Sequence, residues 1–63
     1  LLSATEIIKK QNRIVELKDL LAKSDYLCLK FMDGALSEEE YAPIRIQRQS
    51  YRDEINNLES QIL

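Results

Sequence analysis

Cys28 is the one side chain in this 63-residue sequence with intrinsic nucleophilic character. A thiol attacks as its thiolate, which a neighbouring base must generate, and the usual base, histidine, is absent from the chain. Cys28 also keeps step with Ile14, Leu17 and Leu21, which predicts a packed structural thiol rather than a reactive one. Glu38, Glu39 and Glu40 could be imagined as metal ligands, but a lone cysteine without histidine cannot supply the common zinc sets. Asp33-Gly34 faintly suggests a calcium loop. That loop needs oxygen ligands at alternating positions and a glutamate at its twelfth, which so short a turn lacks. A chain with one glycine holds no glycine-rich phosphate cradle. No catalytic, cofactor-binding or metal-binding set is expected, and the chain reads as a non-enzyme.

Two basic groups could bind a partner. Arg45, Arg48 and Arg52 recur at spacings of three and four, and Lys9, Lys10 and Arg13 form a smaller cluster. Such a stripe can hold phosphates or an acidic protein. The charge balance opposes a polyanion: residues 1–33 carry six basic and five acidic side chains, residues 34–63 three basic and six acidic, for a net charge of −2. The expectation is that Arg45 and Arg52 pair with Glu16, Asp19 or a neighbouring subunit, so nucleic acid is disfavoured. Tyr26, Tyr41 and Tyr51 lack the strand setting of a base-stacking platform.

The elements that must position these residues are two helices. Ser3 and Glu6 form an S-x-x-E capping box that opens a helix over about residues 4–33, supported by Glu6/Lys10 and Asp19/Lys23 pairs four residues apart. Ser24-Asp25 could cap a fresh start, yet the apolar rhythm continues through them to Cys28 and Phe31, which favours one uninterrupted helix. Gly34 takes the left-handed conformation that closes many helices, giving a turn over 34–37. Ser37 with Glu40 makes a second capping box for a helix over about 38–62, whose acidic first turn complements the helix dipole. Pro43 lacks an N–H and presses on the Glu39 carbonyl, which predicts a kink or a restart there.

Tyr41, Ile44, Arg48, Tyr51, Ile55, Leu58 and Ile62 alternate at spacings of three and four, an unbroken coiled-coil register. Ile14, Leu17, Leu21, Cys28 and Phe31 mark the matching edge of the first half. Laid antiparallel with Cys28 facing Ile44, one register also sets Phe31 near Tyr41, Leu21 near Tyr51, Leu17 near Ile55 and Ile14 near Leu58. It places Ser24 and Asp25 against Arg48, the only charged residue of the second seam, so Asp25 and Arg48 form a register pair. The fold class is all-α: a single antiparallel two-helix hairpin over residues 1–63, coiled-coil-like, self-associating into a helical bundle.

Self-association is expected from size and surplus. A chain this short buries only about 60% of its unfolded surface, and without a disulfide or a metal it must rely on regular packing or on other chains. At 100° per residue Ile14, Leu17, Leu21, Cys28 and Met32 cluster within about 60°, while Leu20, Leu27 and Phe31 widen the apolar arc to roughly 160°. One partner helix covers less than that. Leu20, Leu27 and Phe31, with Ile46 on the second helix, are therefore the expected oligomer interface, the alternative being that Leu20 and Leu27 only broaden the contact within the hairpin. Two hairpins in a four-helix bundle, or more around an axis, would cover the surplus.

No apolar run approaches the roughly 20 residues needed to cross a bilayer, and no secretory signal pattern opens the sequence, so a soluble protein without membrane insertion is expected. The chain begins at Leu1 rather than methionine, which leaves open a trimmed chain or a piece of something longer.

The stretch Leu29-Lys30-Phe31-Met32-Asp33-Gly34-Ala35-Leu36-Ser37-Glu38-Glu39-Glu40-Tyr41 resembles a turn in short helical modules, among them C-terminal oligomerisation-type domains of bacterial proteins. With Tyr41-Ala42-Pro43-Ile44 and the stretch from Arg48-Gln49 to Asp53-Glu54-Ile55, the chain is more closely similar, over about residues 14–59, to small proteins and C-terminal segments from bacteriophage and prophage tail gene regions. That resemblance implies a phage origin and a role in tail structure or assembly, in the host cytoplasm or the virion. The expected function is a non-enzymatic, homo-oligomeric, chaperone-like or structural tail factor whose partners are its own copies and other phage structural proteins. The alternative is a small regulatory adaptor binding an acidic partner or nucleic acid through Arg45, Arg48 and Arg52.

Overall fold

The computed structural model describes residues 2–62, which form two antiparallel helices, α1 (Ala4–Met32) and α2 (Glu38–Ile62), joined by a five-residue turn. Their ends follow from local chemistry. The Ser3 hydroxyl accepts the Glu6 N–H at 3.2 Å and opens α1. Ser24 does not interrupt it, because its hydroxyl donates back to the Leu21 carbonyl at 2.8 Å. Asp33 caps the C-terminal end, so α1 stops one residue short of the expected bound. Gly34 then adopts φ +80°. The Ala35 N–H reaches the Lys30 carbonyl at 2.8 Å and the Gly34 N–H the Phe31 carbonyl at 3.0 Å, the paired closure that satisfies a helix's last carbonyls.

The second capping box is complete. Ser37 Oγ accepts the Glu40 N–H at 3.1 Å, and Glu40 Oε1 accepts the Ser37 N–H at 3.0 Å. Helix α2 runs on through Pro43 without a restart. The proline removes one backbone hydrogen bond near the start, where the closed box and the acidic first turn already hold the helix.

The helices share one thin interior. Leu17 is fully enclosed, with Ile14 and Ile55 beside it and Leu20, Leu21, Tyr51, Leu58 and Ile62 packed around them. Tyr41 is buried nearer the turn, where its ring stacks on Phe31 with centroids 4.4 Å apart and planes 9° from parallel. The molecule measures 47 × 15 × 14 Å, with a radius of gyration of 14.6 Å, against about 11 Å for a compact chain of this length. It is a rod with little inside. Met32, expected with the core face, is 76% exposed. In the register set by Phe31 on Tyr41 its opposite number is Glu40, whose carboxylate is committed to the cap and offers no apolar contact.

Candidate interaction surface

Among the described residues Arg48 is the one charged side chain that is buried, and it projects from the middle of α2 into the seam. Its Nη1 donates to the Leu21 carbonyl at 2.9 Å and to the Ser24 hydroxyl, and its Nη2 meets Asp25 Oδ1 at 2.9 Å. Its Nε is buried without a partner. Three acceptors within little more than one turn of α1 thus receive one guanidinium. Sliding the helices by a turn would strand that charge in an apolar seam, which is costly. Arg48 and Asp25 therefore fix alignment.

Polar pairs outside the seam repeat the same register. Arg13 Nε donates to Glu54 Oε2 at 2.7 Å, Lys10 reaches Gln61, and Lys18 Nζ lies 3.9 Å from Glu59. The guanidinium beside Glu54 holds that carboxyl below its ordinary pKa. At the turn, Arg45 grips Glu38 through both terminal nitrogens and lies 5.1 Å from the Tyr41 ring centroid and 5.4 Å from that of Phe31. The Arg45 hydrogen bond lowers the Glu38 pKa, and the Ser37 N–H lowers that of Glu40. Contact with the Cys28 thiol and loss of water push the Tyr41 phenol upward. Cys28 itself is half-buried rather than enclosed.

The arginines do not form one basic face. Arg48 is spent in the seam, Arg45 on Glu38, and Arg52 only reaches Gln49 on its own helix, at 3.0 Å. The expected pairing of Arg45 and Arg52 with Glu16 or Asp19 does not occur: Glu16 is taken by Arg13 and Asp19 by Lys23, whose Nζ lies 2.9 Å away. Neighbours on the same helix reach them with less loss of side-chain freedom. Among the described residues no pocket opens and no three His, Cys, Asp or Glu side chains gather where a metal could sit. Among the described residues no helix is long and apolar enough to cross a membrane.

The four residues expected to form an oligomer interface do not make a single patch. Leu20 packs against the core, Phe31 stacks on Tyr41, and Leu27 is half-buried. Ile46 is exposed, roughly 180° around α2 from the seam at 100° per residue. Besides Ile46, the large exposed apolar side chains among the described residues are Ile8, Val15, Tyr26, Leu29 and Met32, all on α1. Their signal in the sequence is the seven-residue interval Ile8, Val15, Leu29, with Ala22 completing the series. Polar residues between them hide it from a search for one continuous apolar arc. No protein-family model, curated protein or solved structure matches the chain at a significant level.

Proposed function

We propose that this chain is a non-enzymatic, self-associating helical protein serving as a structural or chaperone-like assembly factor of a phage or prophage tail. The observation that supports self-association is the contrast, among the described residues, between four buried apolar residues and six large exposed ones, five of them on α1. So thin an interior gives a small chain little to set against the entropy of ordering, and sister copies are the partner always present at its own concentration. The tail role rests on the resemblance of residues 14–59, and it places the protein in the host cytoplasm or the virion among other phage structural proteins. The adaptor reading loses ground because Arg48 and Arg45, two of its three contact residues, are occupied within the hairpin. Sequencing the DNA on either side of the coding region tests the tail role. Tail genes on both flanks are expected; a setting among unrelated metabolic genes would overturn it.

A further inference from the structure

We infer that Asp33 is a modification site: it isomerises spontaneously to isoaspartate through attack by the Gly34 nitrogen, and the closed turn holds that reaction back until the hairpin opens. The inference is independent of self-association. Asp33 and Gly34 are both exposed. Beyond its chain neighbours, nothing lies within 4 Å of where a Gly34 Cβ would sit. Glycine has no side chain to shield its own nitrogen, so a carboxyl and an unhindered backbone nitrogen stand next to each other in the open.

The step balances without any reagent but water. The Gly34 nitrogen gives up its proton and bonds to Asp33 Cγ, while a carboxyl oxygen leaves as water. The product is a cyclic imide containing Asp33 Cα, Cβ, Cγ and carbonyl carbon together with the Gly34 nitrogen. Water then adds to one of its two carbonyls. Breaking the bond from nitrogen to Cγ restores aspartate. Breaking the bond from nitrogen to the carbonyl carbon leaves the chain running through Cβ and Cγ, with the former backbone carbonyl as a free carboxylate. The water lost is regained, and the mass is unchanged.

The turn opposes ring closure in two ways. The imide needs Asp33 Cβ and the Gly34 nitrogen nearly eclipsed about the bond between Cα and the carbonyl carbon. At the observed ψ of −1° it is Asp33's own nitrogen that eclipses the Gly34 nitrogen. Substituents on a tetrahedral carbon stand about 120° apart in projection, so a rotation of that size is required. The Gly34 N–H, whose proton the attack must shed, donates to the Phe31 carbonyl at 3.0 Å, and the Ala35 N–H to that of Lys30 at 2.8 Å. Phe31 and Tyr41 stack across the same turn. The rotation breaks these bonds and swings α2 away from α1. Isomerisation therefore proceeds from the opened chain, at a rate set by its population. The product carries one extra backbone atom beside the residue held at φ +80°, so the paired closure of α1 cannot reform.

Ageing the full chain for weeks at neutral pH, in buffer and in unfolding guanidinium chloride, tests this. Circular dichroism establishes the folded and unfolded states, and isoaspartyl methyltransferase labelling with peptide mapping reads the product. Isoaspartate should accumulate at residue 33 in denaturant, and about tenfold or more slowly in buffer. None at residue 33 in denaturant would overturn the site, and equal rates would overturn the gate. Asp33→Glu should abolish this label, because its longer side chain closes an imide ring far less readily; an undiminished label would assign the reaction to another residue and overturn the inference. The purified isoaspartate chain, returned to buffer, should melt below the unaged chain. An unchanged melting temperature would contradict the loss of the closure.

Discussion

Arg48 Nη2 lies 2.9 Å from Asp25 Oδ1, yet the Arg48 side chain is 10% exposed and that of Asp25 61%. The pair is therefore lopsided: the carboxylate keeps its water while the guanidinium depends on the protein for every partner. Asp25→Asn should cost about 1 kcal/mol or less, as for an ion pair with one solvated member. Arg48→Ala should cost about 2–4 kcal/mol through the void and the lost packing of its stem. Arg48→Met should keep or raise the melting temperature while relaxing the helix alignment, since apolar replacement of a buried charge is often neutral or stabilising. Urea denaturation ranks the three, and equal losses for Asp25→Asn and Arg48→Ala would contradict the assignment.

Leu17 has no exposed surface and Ile55 only 6%. Leu17→Ala and Ile55→Ala should each lose about 2–5 kcal/mol, against a near-neutral Lys18→Ala. Thermal unfolding followed by circular dichroism checks this, and similar losses for all three would show that the faces are misassigned.

Gly34 has no atom within 4 Å of where a Cβ would sit, so space does not forbid a side chain there. Its φ of +80° does. Gly34→Ala should cost about 1–2 kcal/mol from left-handed backbone alone. Gly34→Asn should recover part of it, because asparagine tolerates that region better.

Much of the hairpin can be read from the residues because its determinants are local. Ser3 and Glu6, Ser37 and Glu40, and Gly34 act within a few positions of themselves, and the order of apolar residues places Leu17 in α1's inner face. The Arg48 contacts follow from the same register. The fate of Pro43 was harder, since a strong cap nearby offsets one missing hydrogen bond. Met32 and the α1 stripe were obscured for another reason. Whether a residue at the margin of an apolar arc is covered depends on what stands opposite: the register sets the polar Glu40 across from Met32, and Val15 lies on the side of α1 turned away from α2, 67% exposed.

Glu38, Glu40 and Glu54 all titrate below their ordinary value of 4.5, held by Arg45, the Ser37 N–H and Arg13 in turn. A carboxyl depressed in the folded state binds its proton more readily when unfolded, so its contribution is present above the unfolded value and lost as pH falls through the folded one. The melting temperature should stay level from neutrality to about pH 5 and fall below about 4.5, with a smaller drop in 1 M salt, where exposed ion pairs are screened. A melting temperature that rises on acidification would contradict these pairings.

Sedimentation equilibrium of the unaltered chain at micromolar concentration bears most directly on the idea that the hairpin leaves apolar surface for sister copies. The expected result is a concentration-dependent mass of at least twice the 7.4 kDa chain, with full helicity in the associated form. A well-folded species that stays at 7.4 kDa at every concentration would contradict it.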